Sequence, residues 1–252
     1  MSASEPVPSF SEDTLLGGRV RLRQPVTGYR VAIDPVLLAA AVPAASGDTV
    51  LDIGCGVGAA ALCLAARVTG CRVVGFDTQR DLVRLAGDNI ALNAAEQRVA
   101  AMAGDLLRPP PRLEPGVFAH VMANPPFLAR DAATPPPDRG KAAAQVEGEA
   151  DLAAWLRFAL LMVRSKGTLT FIHRADRLEH VLANLAGRAG EIVVFPLWAG
   201  PQRPAKRVIL RARKDVATPT RLMPGLVLHD AEGRFSAAAE AILRDGAGLS
   251  LD

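Results

Sequence analysis

The fold is decided by the stretch Val50-Leu51-Asp52-Ile53-Gly54-Cys55-Gly56-Val57-Gly58. Its short apolar run passes into glycines at every second position, and an alanine-rich pattern from Ala59 to Val68 follows at once. This order predicts a strand, a tight turn and a helix, the first unit of a doubly wound α/β domain. Glycine lets the backbone of such a turn approach a ligand, because a Cβ atom would collide with it. A purely structural turn also selects glycine, so this stretch alone leaves both interpretations open.

The length and composition of the chain predict one domain with an aliphatic core. The chain has 252 residues, of which 50% are hydrophobic and only 4% aromatic. This length is typical of a single domain. We therefore predict a flexible tail over residues 1–13 and a single domain over residues 14–252. The net charge of +3 permits an anionic partner without requiring one.

Several classes of protein are disfavoured by the same sequence. The apolar runs are shorter than the roughly 20 residues that a membrane-spanning helix needs, and the polar N-terminus has no signal-peptide core. Three cysteines without a C-x-x-C pair and four histidines without ligand spacing predict neither a disulfide nor a metal site. We expect a cytoplasmic protein that uses no metal and no membrane.

The rest of the chain alternates between the period of strands and the period of amphipathic helices. The predicted fold class is α/β: a doubly wound, mostly parallel seven-stranded sheet with a small N-terminal hairpin and helix addition. A hairpin or strand is predicted at 14–24, and the core strands at 49–53, 71–76, 98–103, 118–123, 168–173, 191–197 and 207–213. Helices are predicted at 36–42, 59–68, 81–92, 149–164, 176–186 and 237–243, with Lys166-Gly167 ending the fourth, and a short element at 226–228.

Polar side chains follow three predicted strands beyond the glycine turn: Asp77, Asp105 and Asn124. The carboxyl ends of parallel strands meet at one edge of a sheet, which is where such folds bind their ligands. An acid after the second strand commonly holds the ribose hydroxyls of a nucleotide ligand. The sequence therefore predicts a single site at this edge.

The fourth predicted strand ends in Asn124-Pro125-Pro126-Phe127, which carries the most specific chemistry of the chain. An exocyclic amine or a carboxamide nitrogen is a poor nucleophile because its lone pair is delocalised. The Asn124 side-chain oxygen and the Pro125 carbonyl could accept hydrogen bonds from such an NH₂ group and favour a pyramidal nitrogen. Proline stiffens the turn and adds no competing donor. Phe127 could stack on a planar base or amide.

Both motifs resemble those of one enzyme class. Asp52-x-Gly54-x-Gly56-x-Gly58 resembles motif I of class I S-adenosylmethionine-dependent methyltransferases, and its spacing differs from the G-x-G-x-x-G of NAD-binding proteins. The N-P-P-F stretch resembles the motif of amino-group methyltransferases. The wider likeness, over residues 14–215, is to the bacterial tRNA adenine-N6 methyltransferases that modify valine tRNA. One departure lies after Phe127, where Ala144-Gln145-Val146-Glu147 lacks the arginine of the family pattern.

The resemblance implies a cofactor, a partner and a set of roles. S-adenosylmethionine would be the cofactor and tRNA the partner. Residues 14–47 would form a segment that closes the site, and residues 48–215 the core. Asp52 and the glycine turn would hold the methionine end of the cofactor, Asp77 its ribose and Asp105 its adenine. The implied cofactor-binding residues are Tyr29, Asp34, Asp52, Gly54, Cys55, Gly56, Gly58, Asp77, Thr78, Asp105, Leu106 and Asn124. The implied catalytic residues are Asn124, Pro125, Pro126 and Phe127.

Several alternatives stay open. The methyl acceptor could be a protein glutamine or a small molecule, and a non-enzymatic binding module or an NAD-dependent enzyme are further interpretations of the same fold. Tyr29 could serve packing, and Asp34, which precedes a proline, could cap a helix. Two rows of arginines could be solvated strand edges or contacts to RNA phosphates: Arg19, Arg21 and Arg23 in the first, and Arg207, Arg211 and Arg213 in the second.

Overall fold

The structure, a computed structural model, describes residues 10–27, 30–127 and 150–251 and begins with an antiparallel hairpin. Strand β1 (Phe10–Leu15) pairs with β2 (Val20–Pro25), and helix α1 (Asp34–Ala41) follows. The predicted hairpin is confirmed, but residues 10–13 belong to β1 and not to a tail. The cross-strand pairing explains this: Glu12 accepts hydrogen bonds from Arg21 and Arg23 of β2, so the acidic segment is fixed by its partner strand.

Seven long strands form the central sheet, as predicted. They are β3 (Thr49–Ile53), β4 (Arg72–Asp77), β5 (Val99–Ala103), β6 (Phe118–Ala123), β7 (Val163–Arg174), β8 (Ala189–Trp198) and β9 (Ala205–Lys214). Their order is β5-β4-β3-β6-β7-β9-β8, and only β9 runs antiparallel to its neighbours. Two-residue strands β10 (Arg221–Leu222) and β11 (Leu226–Val227) add to β8. The strand order reverses beside β3, at the point where doubly wound sheets bind ligands.

Helices cover both faces of this sheet. They are α2 (Ala59–Arg67), α3 (Arg80–Leu92), α4 (Leu152–Met162), α5 (Leu178–Leu185) and α6 (Ala237–Leu243). Successive residues of β3 serve different layers: Val50 packs with α1, α2, α3 and α6, whereas Leu51 packs with α4 and α5. This alternation follows from the two-residue period of a strand. None of the helices in the described residues is long and apolar enough to cross a membrane.

One predicted boundary, at Lys166-Gly167, is wrong. Helix α4 ends at Met162, and β7 starts at once with Val163, so both residues lie inside the strand. Lys166 has a φ of +60°, and a Cβ atom on Gly167 would lie 2.6 Å from the Ala119 carbonyl oxygen. The glycine is required by this close approach to β6, where the strand register shifts, and not by a helix end.

The N-terminal hairpin is attached to α3 by two asparagines one helical turn apart. Asn89 accepts a hydrogen bond from the Arg23 backbone N–H (2.7 Å) and donates to the Arg23 carbonyl (2.9 Å). Asn93 makes the same pair of bonds with Arg21, at 2.9 and 2.7 Å. The Asn89 amide also donates to the carbonyl of Val57 in the glycine turn (2.9 Å). These amides therefore join β2 both to α3 and to the candidate site.

Candidate active site

The glycine turn between β3 and α2 has the conformation that its sequence requires. Gly54, Gly56 and Gly58 have φ values of +73°, +53° and +85°, a region that L-residues with side chains rarely adopt. A Cβ atom on Gly54 would lie 2.5 Å from the Trp155 ring. The Gly54 N–H donates to the Phe76 carbonyl at 2.7 Å, which ties the turn to the end of β4. The backbone of the turn is thus open to a ligand on one side and packed by Trp155 on another.

A cavity lies at the carboxyl ends of β3, β4 and β6, next to this turn. It brings together ten of the predicted site residues: Asp52, Gly54, Cys55, Gly56, Asp77, Thr78, Leu106, Asn124, Pro126 and Phe127. The glycine turn and the N-P-P-F stretch therefore face one space, as expected from the parallel sheet.

Asp52 is the most unusual residue of the cavity. It is 2% exposed, and its Oδ2 atom is buried without any hydrogen-bond partner. Burial, together with the nearby charge of Asp77, raises the pKa of Asp52 to about 8, although the Ala61 backbone N–H opposes the shift. A buried polar atom without a partner is costly, so this oxygen is suited to a donor supplied by a ligand.

Asp77 is held in place by backbone groups. Its Oδ2 accepts from the Gly56 N–H and its Oδ1 from the Gln79 N–H, both at 2.9 Å. Burial raises the pKa of Asp77, and these backbone hydrogen bonds act in the opposite direction. The carboxylate is thereby oriented at the tip of β4, where its remaining lone pairs can accept from ligand hydroxyls.

The electrostatics of the cavity favour a cationic ligand. Two buried carboxylates, Asp52 and Asp77, line it, whereas no lysine, arginine or histidine among the described residues does. An ammonium or sulfonium group would be attracted here, and its ammonium could donate to Asp52 Oδ2. The pyrophosphate of NAD would find no cationic side chain among the described residues that line the cavity. The residues present fit S-adenosylmethionine, which carries both cations.

The N-P-P-F stretch forms the wall opposite the turn. Asn124 follows the last residue of β6, and its side-chain Oδ1 is buried without a hydrogen-bond partner. Phe127 also lines the cavity, and its ring centroid lies 5.9 Å from that of His173. His173 is fully buried, and burial lowers its pKa to about 4, so the imidazole is neutral at pH 7. The wall thus offers an unused acceptor beside the aromatic ring of Phe127.

Comparison with known proteins finds methyltransferases among the proteins that resemble this chain. Residues 30–136 match the profile of the methyltransferase small domain. A tRNA1(Val) (adenine(37)-N6)-methyltransferase of Yersinia pestis is 27% identical over 82% of both chains. The rRNA N(6)-adenosine-methyltransferase metl-5 of Caenorhabditis elegans is 22% identical over 66% of this chain and 70% of its own.

Other comparisons define how far the likeness extends. A crystal structure of a predicted O-methyltransferase from Agrobacterium tumefaciens superposes with a TM-score of 0.71 and covers 86% of this chain and 98% of its own. At 22% identity it establishes the fold alone. The chain spans only 44% of a carboxy-S-adenosyl-L-methionine synthase and 24% of a ribosomal protein L11 methyltransferase that it also matches. The predicted fold is confirmed. The predicted methyltransferase class and its cofactor, S-adenosylmethionine, agree with the family match over residues 30–136.

Some predicted site residues do not line the cavity. Gly58 is the N-cap residue that precedes α2, and Pro125 is buried. The Asp105 carboxylate accepts from the Leu107 N–H at 2.9 Å and closes a local turn. These three residues are not among those that line the cavity. Tyr29 and the 144–147 stretch are outside the described residues.

Asp34 also has a different environment from the one predicted. It is the first residue of α1 and provides no side-chain cap. Its carboxylate instead accepts a hydrogen bond from Arg207 of β9 at 3.2 Å, and it does not line the cavity. The proline that follows makes Asp34-Pro35 look like a helix start, and only the packing of β9 beside α1 reveals the ion pair.

Sequence reasoning missed Trp155 as a member of the candidate site. Its position in the amphipathic pattern of α4 identified it only as a core residue, yet it lines the cavity against Gly54. Val31, Pro35 and Leu38, from the segment before β3, line the cavity too. The predicted closing segment therefore does reach the site. An isolated tryptophan in an alanine-rich helix was the available signal for Trp155.

Proposed function

We propose that the protein transfers a methyl group from S-adenosylmethionine to N6 of an adenine in tRNA. The observation that carries the proposal is the buried, unpartnered Oδ1 of Asn124, which shares one cavity with the unpartnered Oδ2 of Asp52. The two orphan acceptors match the two donors that such a reaction brings together: the ammonium of the cofactor and the amino group of the base. The adenine-N6 activities named for two relatives support the choice of acceptor.

The roles of the residues follow from this arrangement. Asp52 would bind the cofactor ammonium, and Asp77 its ribose. Asn124 would accept a hydrogen bond from the target NH₂ group and hold its nitrogen ready for attack. The bound cofactor would supply an electrophilic methyl group, and cleavage of its S–CH₃ bond would leave S-adenosylhomocysteine. The target nitrogen loses one proton to solvent after it has gained the methyl carbon. Fixed geometry, without a side-chain base, would supply most of the rate.

Phe127 would provide a surface for the target base. Stacking of a base on an aromatic ring contributes about 1–3 kcal/mol in single-stranded complexes. A base in a loop requires less free energy to expose than a paired one, which favours a tRNA loop as the target. A cytoplasmic location, where tRNA is abundant, stays a prediction with this proposal.

The proposal is tested by incubating the protein with methyl-labelled S-adenosylmethionine and either total tRNA or total protein from a bacterial extract. Mass spectrometry of nucleosides and peptides then locates the label. We expect N6-methyladenosine in tRNA. The Asn124→Ala variant should lose more than about tenfold in turnover, equivalent to 1.4 kcal/mol, while its affinity for S-adenosylhomocysteine stays near that of the wild type.

Two outcomes would contradict the proposal. Label on glutamine side chains, with none in tRNA, would identify a protein substrate, since a carboxamide nitrogen could use the same Asn124 acceptor. An Asn124→Ala variant that keeps most of its turnover would show that this side chain does not hold the target amine.

A further inference from the structure

The Phe127 ring is covered on one face by an arginine from a distant strand. The guanidinium carbon of Arg207, in β9, lies 4.3 Å from the centroid of the ring. This is within the range of a cation–π contact, which is attractive because the ring face carries partial negative charge. Arg207 itself is not among the residues that line the cavity. Arg207 therefore contacts the Phe127 ring from outside the cavity.

Arg207 is in turn held by Asp34. The Arg207 Nε atom donates to Asp34 Oδ2 at 3.2 Å, and the two side chains are 31% and 16% exposed. An ion pair with this degree of burial is screened less by salt than a pair on the open surface. Three parts of the chain thus meet in one series of contacts: the start of α1, the start of β9 and the N-P-P-F turn.

We propose that Asp34 and Arg207 are positioning residues that fix the Phe127 ring for the methyl acceptor. Asp34 orients the guanidinium, the guanidinium holds the ring face, and the ring presents a fixed surface beside Asn124. The proposal rests on the proposed function for its kinetic consequences, but the contact series is a property of the protein alone. It replaces the expectation that Asp34 binds the cofactor.

The physical reason is that a mobile Phe127 ring would lower the rate of the reaction. Phe127 follows two prolines, which stiffen the backbone but leave the ring free to rotate about its own side-chain bonds. A misplacement of about 1 Å in a reacting group can cost about a hundredfold in rate. A cation held over the ring by a carboxylate would restrict this motion without entering the cavity. Removal of either partner should then affect the same step.

The kinetic test compares Arg207→Met, Asp34→Asn and the double variant on tRNA. Each single change should lower kcat by about tenfold or more, with the affinity for S-adenosylhomocysteine unchanged. The kcat of the double variant should be no lower than that of the poorer single variant, because both changes disrupt the same series of contacts. Arg207→Lys keeps a cation within reach of both partners and should recover part of kcat. Reductions in kcat that multiply in the double variant would overturn the proposal.

A matched control is available on the same strand. Arg213, at the far end of β9, donates to Glu191 at 2.9 Å. Arg213→Met and Glu191→Gln remove an equivalent ion pair far from Phe127, so kcat should not change. An equal reduction of kcat in this control pair would mean that any ion pair on β9 affects turnover through stability, and would overturn the specific role of Arg207.

The alternative role for Arg207 is a contact to an RNA phosphate. That role predicts that Asp34→Asn and Arg207→Met change the affinity for RNA in opposite directions. Asp34→Asn would free the guanidinium for phosphate and strengthen RNA binding, whereas Arg207→Met would weaken it and leave kcat intact. The positioning role predicts that both variants lower kcat together. Opposite effects of the two variants would overturn our proposal in favour of the phosphate contact.

A measurement without substrate separates this inference from the proposed function. The protein has eight phenylalanines, which can be labelled with 4-fluorophenylalanine, and the Phe127 signal is identified by its absence in Phe127→Leu. Arg207→Met and Asp34→Asn should both shift the ¹⁹F resonance of Phe127, and Glu191→Gln should not. A Phe127 signal unmoved by Asp34→Asn would overturn the inference, even in a protein that proves inactive on tRNA.

Discussion

Asp52 illustrates how a single residue can be unfavourable for folding and suited to binding. Its side chain is buried beside another carboxylate, and its pKa is raised to about 8. The free protein therefore holds a proton on Asp52 at neutral pH, whereas a bound ammonium would require the ionised form. Binding of the cofactor should release this proton. The residue lowers stability and contributes to recognition, a common pattern at functional sites.

The pH dependence of stability tests this description of Asp52. Because the pKa of the folded state lies above the ordinary value of 3.8, the folded protein binds more protons than the unfolded chain between the two values. Asp52 should therefore lower stability as the pH rises from about 4 to about 8. The free energy of unfolding of Asp52→Asn relative to the wild type should increase by more than about 1.4 kcal/mol between pH 5 and pH 8.5, the equivalent of one pKa unit.

The measurement is denaturant unfolding of both proteins at the two pH values, with calorimetry of S-adenosylhomocysteine binding. The wild-type affinity should increase with pH up to about 8, and the Asp52→Asn affinity should be weaker and less dependent on pH. A constant difference in stability between wild type and variant at both pH values would refute the raised pKa.

At the scale of elements, the position of the N-terminal hairpin depends on α3. Asn89 is fully buried and bonds three backbone groups. Asn93 is half-buried, so water could replace its side chain as the partner of the backbone groups that it bonds. Each buried polar group left unpaired costs about 1–3 kcal/mol. Hairpin docking should therefore depend much more on Asn89 than on Asn93.

We expect Asn89→Ala to lower the free energy of unfolding by about 3 kcal/mol or more, and Asn93→Ala by about 1 kcal/mol. Asn89→Ala should also weaken S-adenosylhomocysteine binding, since the Asn89 amide supports Val57 in the glycine turn. Equilibrium unfolding in urea and calorimetry measure the two effects. Equal destabilisation by the two variants would show that burial does not separate their roles.

At the scale of the whole molecule, the predicted rows of arginines prove to be largely paired with acids. Arg21 and Arg23 bond Glu12, Arg207 bonds Asp34, and Arg213 bonds Glu191. Arg19 lies outside the strand and donates to backbone carbonyls, and Arg211 is only 8% exposed. Neither row is a uniform cationic surface. Arg203 and Lys206, by contrast, are exposed near the start of β9.

This distribution predicts which cations would bind tRNA phosphates. A double Arg203→Ala/Lys206→Ala variant should weaken tRNA binding and reduce the slope of log affinity against log salt by about 0.7 for each phosphate that the variant leaves without a cation. Arg213→Ala/Glu191→Ala serves as the control, because Glu191 already compensates the charge of Arg213, and its slope should match the wild type. The affinity of each variant for tRNA is measured at several salt concentrations to obtain the slopes. An unchanged slope in the first variant would favour a protein or small-molecule substrate.

Local patterns in the sequence were sufficient for most of the elements. The strand over 118–123 and the helix over 237–243 have the predicted bounds, and the strand, glycine turn and helix over 49–67 are formed as expected. Period and turn residues encode such elements because their hydrogen bonds join near neighbours or follow the pleat of one strand. The parallel sheet then brings the residues after β3, β4 and β6 to one cavity.

Long-range contacts explain what the sequence could not predict. Asp34 and Arg207 are 173 residues apart, and Asn89 and Arg23 are 66 apart, so no local period links them. Asp34 beside a proline suggests a helix cap, and Gly167 suggests a helix end. In the structure, Asp34 is paired with Arg207 of β9, and Gly167 lies close to the backbone of Ala119 in β6. The chemistry of the site was thus determined by the sequence itself, through the residue types at the strand ends. Burial, orphaned acceptors and ion pairs were decided only by the tertiary structure, because each depends on which distant atoms exclude water from it.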